Sequence, residues 1–390
     1  MPKRTPHIAQ RMDDIQPFHV MALLGRAREL EAQGKSIVHM EIGEPDFVTA
    51  QPIIDAGVRA LEDGQTHYTP TMGLPELREA ISGFYKQHYG VDVPARRIVI
   101  TPGASGALQL AFSVLVNPGE AVVLADPGYP CNRHFIRLVE GKALAADVGS
   151  DTHYQLTSEL LASTWTDECV AAMLASPSNP TGTLVGTDEL AAMHDFVSGQ
   201  GGSLVVDEIY HGLVYDKQAE TALAIADDIF VVNSFSKYFG MTGWRLGWLV
   251  VPDAYVDAVD KLAQNIFLAA PTLAQHAALA AFEPETMNIF EQRRKEFAER
   301  RDYLLPALRE LGFDIPVTPE GAFYLYANCE RFSSDSYQFA TDLLEQAGVA
   351  ITPGIDFGHH NANTHVRFAY TTSLENLKEG VERIRKFVQC

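Results

Sequence analysis

Residues 233–248 read NSFSKYFGMTGWRLGW and place a lysine, Lys237, between an apolar run and a glycine-rich turn. The apolar run, DIFVVN at 228–233, has the length and composition of a buried strand. Lysine is ordinarily a solvated surface residue, and a surface loop is the usual setting of a single lysine. A lysine at the end of a buried strand is therefore unusual, and polar residues at the ends of the other strands could form a site with it.

The composition is that of an ordinary globular protein, with 390 residues of which 46% are hydrophobic and 21% charged. The formal net charge of −20 disfavours nucleic acids and anionic membranes as partners. The four cysteines form no CxxC pair, which indicates neither a zinc site nor a redox motif and favours a cytoplasmic location. Residues 1–18 lack the apolar segment of a signal peptide, and no apolar stretch approaches the ~18 residues of a membrane span.

Short apolar runs alternate with helical patterns through the middle of the chain, which predicts an α/β fold with a mostly parallel sheet. The runs stand at 97–101, 120–129, 169–182, 203–210, 228–237 and 245–252. The C-terminal third instead predicts a long amphipathic helix at 291–312, short strands and a last helix at 373–388. Near the N-terminus, residues 18–34 predict a helix that leads to a strand at 36–47. We therefore expect a large domain over 46–289 and a smaller α+β domain formed by 1–45 and 290–390.

Each middle strand is followed by a polar, turn-rich cluster. The clusters are DPGYP (126–130), SPSNPTG (176–182), DEIY (207–210) and NSFSK (233–237). In open α/β sheets the ligand lies outside the carboxyl ends of the strands, so these clusters predict one shared site.

Three elements of that site have a definite chemistry. Burial and neighbouring cations lower the pKa of a lysine, and Lys237 could then form a Schiff base with a carbonyl. The glycines and serine of TPGASGALQL (101–110) stand at a predicted helix N-terminus, which favours a phosphate. Asp207 ends a predicted buried strand, where a carboxylate needs a cation or several donors. Taken singly, the glycines could form an ordinary turn and Asp207 could cap a helix.

Further segments follow in a set order: GEPDF (43–47), YTPTMGLPELREAI (68–81), PSNPTG (177–182), DEIY (207–210), SFSKYFGMTGWRLGW (234–248), PEGAFY (319–324) and VRFAY (366–370). In this order and spacing the chain resembles the class I/II aminotransferases of the fold-type I family, near the aspartate aminotransferase group. The resemblance covers nearly the whole length. It implies a pyridoxal 5′-phosphate cofactor and a large domain whose mostly parallel, seven-stranded sheet is flanked by helices.

The resemblance also implies roles around the cofactor ring. Lys237 would hold the cofactor as a Schiff base and then act as the general base at the substrate Cα. Asp207 would pair with the pyridine nitrogen. Tyr210 and Asn179 would hydrogen-bond the phenolic oxygen of the ring, and Tyr129 would stack on its face.

At the phosphate and the substrate the implied residues come from several segments. The phosphate would be bound by the backbone of Ala104 and Ser105, by Ser234 and Ser236, and by Arg245. Tyr68 would reach the phosphate of the other subunit in a homodimer with shared sites. Arg367 would grip the substrate α-carboxylate, with help from Asn179 and the Gly43 backbone, while amino acid and 2-oxo acid would be the substrates.

Two alternatives share this fold. A C–S β-lyase or related eliminating enzyme would use the same lysine, aspartate and arginine. A sensor domain of a transcription regulator would need a DNA-binding module, for which about 40 residues before the core and the net charge of −20 leave little basis.

The substrate side chain is predicted to be neutral. Residues 264–278, the segment expected from the partner subunit, contain no lysine or arginine, and Ser105 is uncharged. Phe267 and Leu268 would favour an apolar side chain. The segment GHHNANTH (358–365) is expected to form an exposed loop and not a metal site.

Overall fold

The computed structural model describes residues 6–389, so the basic run at 2–4 and Cys390 lie outside the described residues. The strands are β1 (Val38–His39), β2 (Ile98–Thr101), β3 (Ala121–Asp126), β4 (Lys142–Asp147), β5 (Cys169–Ala175), β6 (Ser203–Asp207), β7 (Phe230–Ser234), β8 (Gly247–Val250), β9 (Tyr324–Asn328), β10 (Val349–Ala350), β11 (Thr352–Pro353) and β12 (His365–Ala369). The α-helices are α1 (His19–Ala32), α2 (Gln51–Glu62), α3 (Pro75–Tyr89), α4 (Gly103–Leu115), α5 (Cys131–Leu138), α6 (Ser158–Thr164), α7 (Thr187–Gly199), α8 (Val256–Ile266), α9 (Thr272–Leu279), α10 (Pro284–Leu311), α11 (Ser336–Asp342) and α12 (Leu374–Val388).

The largest sheet has seven strands in the order β2-β8-β7-β6-β5-β3-β4. Strand β8 is antiparallel to both of its neighbours, and the other pairings are parallel. Its central strands are buried on both faces, which explains their continuous apolar runs. The predicted α/β class and the mostly parallel sheet are confirmed.

The chain outside this sheet forms two smaller ones. Strand β1 pairs in parallel with β10, so the N-terminal segment joins the C-terminal part of the chain. Strands β11, β12 and β9 form an antiparallel sheet in that order. The boundaries 46–289 and 290–390 stay a prediction.

Two elements differ from their predicted extents. Helix α10 begins at Pro284 instead of residue 291, because a proline at the first position fits a helix start. The apolar run at 36–47 yields only the short strand β1, since the segment after it makes backbone contacts to other parts of the chain instead of a ladder. Within residues 6–389 no helix is long and apolar enough to cross a membrane.

The parallel strands end together at one edge of the large sheet. Strand β6 ends at Asp207 and β7 at Ser234, and the two strands pair in register through Asp207 and Val232. Helix α4 begins at Gly103, directly after β2. The predicted polar clusters at the ends of β6 and β7 and the start of α4 are thus brought to one edge.

Candidate active site

Lys237 follows strand β7 and is half-buried, with its ammonium turned inward. Nζ donates a hydrogen bond of 2.6 Å to the backbone oxygen of Gly43, which joins the strand-end loop to the N-terminal segment. Burial lowers the pKa of Lys237 to about 8, against a smaller raising effect of Glu44. A neutral amine is thus far more accessible here than on the surface, as nucleophilic or base chemistry requires.

Asp207 closes strand β6 and is only 6% exposed. Its Oδ1 accepts one hydrogen bond of 3.0 Å from the Ile209 backbone N–H. Burial raises the pKa of Asp207 to about 7, while the Ile209 bond and Lys237 act in the opposite direction. The site therefore contains a carboxylate that would gain from a cation placed beside it.

Arg367 lies on β12 and is 5% exposed. Nη1 donates to Asn179 Oδ1 at 2.9 Å, and Nη2 donates to the Glu41 backbone oxygen at 2.6 Å and to Thr352 Oγ1 at 3.1 Å. Nε has no hydrogen-bond partner among the described residues. Its guanidinium also lies 4.3 Å from the ring centre of Tyr324. A buried guanidinium held only by neutral oxygens is suited to receive a carboxylate.

A second cation, Arg245, lies beside the start of helix α4. Gly103 has φ of +69°, and a Cβ built on it would come within 2.7 Å of Arg245 Nη2. A Cβ on Gly247 would come within 2.8 Å of the Ala104 nitrogen. Two glycines therefore let the arginine, strand β8 and the helix N-terminus approach one another closely.

Hydroxyl groups complete this corner. Ser234 Oγ lies 2.9 Å from Ser236 Oγ and 3.0 Å from the Leu246 backbone oxygen. Ser105, one residue after Ala104 in the first turn of α4, is exposed. Backbone N–H groups, hydroxyls and a guanidinium together form the donor set that an anion prefers.

Two predicted ring contacts also lie near this edge. Tyr210 is buried, and its OH lies 2.9 Å from the OH of Tyr324. Tyr129 is partly exposed, with its ring 6.4 Å from that of Phe18. Tyr210 thus faces the interior of the site, whereas Tyr129 stands at its mouth.

Tyr68 is the one predicted site residue that the structure does not bring to this group. It lies between α2 and α3 with its side chain 81% exposed, and within residues 6–389 it makes no hydrogen bond or ring contact.

The sequence reasoning missed three neighbours of Arg367, namely Tyr324, Thr352 and Glu41. Tyr324 closes the segment PEGAFY, so a motif pointed to it, but its contact with Tyr210 depends on tertiary packing. Glu41 acts through its backbone oxygen and Thr352 through a hydroxyl in a two-residue strand, and neither feature has a pattern in the sequence.

The arrangement has a counterpart in a known family. The family model described as "Aminotransferase class I and II" matches residues 35–384. The chain belongs to this family. The resemblance drawn from the sequence is thereby confirmed, and the protein is a pyridoxal-phosphate-dependent aminotransferase.

Relatives of this aminotransferase have different substrates in their names. A (5-formylfuran-3-yl)methyl phosphate transaminase from Methanocaldococcus jannaschii is 38% identical, over 98% of this chain and 99% of that protein. A valine–pyruvate aminotransferase from Mycobacterium tuberculosis is 38% identical, over 95% of this chain and 96% of that one. The structure of an aspartate aminotransferase from Thermus thermophilus superposes with a TM-score of 0.92 at 32% identity, covering 98% of this chain and 100% of that chain.

The residues present fit pyridoxal phosphate. The corner formed by Gly103, Gly247 and Arg245 is a cradle that side chains at the glycines would fill, and its donors suit a phosphate. Asp207 is a buried carboxylate in need of a cation, as the protonated pyridine nitrogen would be. Lys237 supplies an amine with a lowered pKa to meet an aldehyde.

The segment GHHNANTH is only in part an exposed loop. His359 and Asn361 are exposed, but His365 is buried at the start of β12 and stacks on Tyr326 with ring centres 4.8 Å apart. The backbone N–H groups of His359 and His360 donate to Asp126, so the segment anchors to the end of β3. In the described part of the chain no group of three histidine, cysteine or acidic side chains could hold a metal ion.

We predict that Asp207→Asn stabilises the cofactor-free protein at pH 8. A carboxyl group with a raised pKa in the folded state favours folding fully below its ordinary pKa of 3.8, and this contribution is lost as the pH rises through about 7. Removing the charge should raise the free energy of unfolding by up to about 4 kcal/mol at pH 8, and by much less at pH 5. Urea unfolding at the two pH values measures the difference.

Asp195→Asn, at a position whose side chain is 86% exposed, is the matched control and should change stability little at either pH. Equal or lower stability of Asp207→Asn at pH 8 would contradict the assignment of Asp207 as a strained buried charge.

Proposed function

We propose that this aminotransferase moves the amino group between an L-amino acid with a neutral side chain and a 2-oxo acid, with Lys237 as its base. The observation that carries the proposal is that Lys237, Asp207 and Arg367 lie near one another, and that none of them has an oppositely charged hydrogen-bond partner in the described structure. Bound pyridoxal phosphate supplies an aldehyde that links to amines and a ring that accepts electrons.

Residues of the chain transfer the proton and position the cofactor ring. Lys237 Nζ takes the proton from the substrate Cα and returns it on the cofactor side, which a pKa of about 8 permits near neutral pH. Asp207 holds the proton of the pyridine nitrogen in place. Tyr210 and Asn179 position the phenolic oxygen of the ring, and Tyr129 covers one face of the ring.

The phosphate and carboxylate ends fix the orientation. Arg245, with the start of helix α4 at Ala104 and Ser105, binds the phosphate, and Ser234 and Ser236 complete the cradle. Arg367 Nε and Nη groups bind the α-carboxylate in a bidentate pair beside Gly43. Substrates therefore enter with Cα near Lys237, whose Nζ lies 2.6 Å from the Gly43 backbone oxygen in this structure.

A neutral substrate side chain is supported by residues 264–278, which contain no lysine or arginine, and by the uncharged Ser105. Leu268 is 44% exposed and offers an apolar contact to a partner subunit. A second substrate carboxylate would be costly to desolvate unless a cation paired with it.

The elimination alternative is not favoured, because the relatives reported above are named aminotransferases. A cytoplasmic location remains a prediction from cysteine usage, and Cys131, Cys169 and Cys329 form no disulfide in the described structure.

We predict a higher kcat/KM for valine, leucine or phenylalanine than for aspartate, with one 2-oxo acid as acceptor. Apolar contact favours the neutral side chains, and desolvation penalises the second carboxylate of aspartate. Keto acid formed without ammonia distinguishes transfer from elimination. A preference for aspartate of about tenfold or more, equal to about 1.4 kcal/mol, would contradict this assignment of the pocket.

A homodimer with shared sites is proposed because Tyr68 is exposed, although its motif position implies a role at a phosphate. Val48 and Leu61 are also exposed apolar residues, at 79% and 57%, which a partner subunit could cover.

We predict that the unsubstituted protein sediments as a dimer. The Kd for pyridoxal phosphate should be higher in Tyr68→Phe, because this variant loses a hydroxyl donor to the phosphate bound in the partner subunit. Tyr337→Phe is the control. Tyr337 is 37% exposed and lies on helix α11, and its substitution should leave the Kd for pyridoxal phosphate unchanged. A monomer that keeps full activity at high dilution would refute the shared site.

A further inference from the structure

The backbone oxygen of Glu41 is a main anchor of Arg367. It accepts the 2.6 Å bond from Nη2 of that arginine, and it also accepts a 3.0 Å bond from Thr352 Oγ1. The preceding residue, Met40, is tied on both sides, by its N–H to the Ala350 oxygen at 2.9 Å and by its oxygen to the Ala369 N–H at 2.7 Å. With Met40 fixed, the direction of the Glu41 carbonyl depends on the contacts of the Glu41 side chain.

The side chain of Glu41 is wholly buried and is held at one oxygen. Oε1 lies 2.7 Å from His39 Nδ1, while Oε2 has no partner among the described residues. A buried carboxylate with a vacant oxygen is costly unless a cation compensates it. The His39 imidazole is the group in contact, and its hydrogen bond to Glu41 raises the pKa of His39 to about 9, so it is cationic near neutral pH.

His39 also reaches the N-terminal helix. Its Nε2 lies 3.1 Å from Glu31 Oε1 on α1. That helix starts next to Phe18, whose ring stands beside Tyr129 at the mouth of the site. The chain of contacts thus runs from α1 through His39 and Glu41 to the guanidinium that faces the substrate.

We propose that the His39–Glu41 pair is a positioning device that fixes the Arg367 guanidinium for the substrate α-carboxylate. Neither residue touches substrate. With His39 removed, the buried Glu41 carboxylate loses its compensating cation, its segment shifts, and its backbone oxygen no longer aligns Nη2. The proposal rests on the role of Arg367 given under the proposed function.

The test compares ligands with and without an α-carboxylate on the cofactor-loaded enzyme. The ligands are leucine, 3-methylbutylamine, which is leucine without its carboxylate, and 4-methylpentanoate, a carboxylate without the amine. The variants are His39→Ala, His39→Gln and Glu41→Gln, with Arg367→Lys in parallel. His194→Ala is the matched control, because His194 forms a 2.7 Å pair with Asp228 on the large-sheet side, outside the contacts of the site. Calorimetry gives the Kd of 4-methylpentanoate, steady-state kinetics give the KM and kcat for leucine, and single turnovers give the rates with the two amines.

We expect His39→Ala to raise the Kd of 4-methylpentanoate and the KM of leucine roughly tenfold, with kcat changed less than about twofold, since a small misplacement of a binding group has such an effect. The rate with 3-methylbutylamine should not change, and His39→Gln, which keeps an N–H donor, should recover part of the affinity. Equal losses with leucine and 3-methylbutylamine would show general damage to the fold and overturn the proposal, as would an unchanged Kd.

Arg367→Lys separates this proposal from the function beneath it. If Arg367→Lys weakens carboxylate binding and His39→Ala does not, the positioning role is wrong and the proposed function stands. If Arg367→Lys leaves carboxylate binding unchanged, Arg367 is not the carboxylate site and both fail.

Discussion

The candidate active site depends on charged groups that have no oppositely charged hydrogen-bond partner in the described structure. Asp207 and Arg367 are buried and Lys237 is half-buried, and an unpaired charge inside a protein is costly. Their contacts are mainly neutral: a backbone N–H, a backbone oxygen, a side-chain amide and a hydroxyl. Folding therefore leaves Asp207 and Arg367 without opposite charges, which the cofactor and the substrate would supply under the proposed function.

The charged groups of the candidate site are brought together because the parallel strands of the large sheet end at the same edge. Parallel strands β6 and β7 deliver Asp207 and the loop of Lys237 to one edge, and β12 of the small antiparallel sheet delivers Arg367 from the other side. The N-terminal segment closes the gap, since Gly43 contacts Lys237 and Glu41 contacts Arg367 through backbone oxygens. The proposed base, Lys237, and the proposed carboxylate-binding residue, Arg367, are thus joined by a segment that belongs to neither strand.

The sequence predicted the parts of this site that have a local signature. The buried strands are continuous apolar runs, and the loops after them carry Asp207, Lys237 and the glycines, so the sheet edge could be inferred from the sequence alone. The antiparallel direction of β8 could not, because its run RLGWLVVP has the same apolar character as the parallel strands. Direction is set by the chain path and not by composition.

Contacts made by backbone atoms also could not be predicted from the sequence. The oxygen of Glu41 is the same group in every residue, so no letter of the sequence marks it as an anchor of Arg367. The exposed tip of GHHNANTH was predicted, but the burial of His365 follows from its place at the start of β12, where it packs on Tyr326. Such features depend on which distant segments meet, and a short pattern does not encode that.

Covalent mapping can show whether Lys237 is the amine that carries the cofactor. Cofactor-loaded protein is reduced with borohydride, digested, and its peptides are analysed by mass spectrometry. We expect one pyridoxyl group on Lys237, and no reduced adduct in Lys237→Ala under the same conditions. A pyridoxyl group on another lysine, or an adduct that survives in Lys237→Ala, would contradict it.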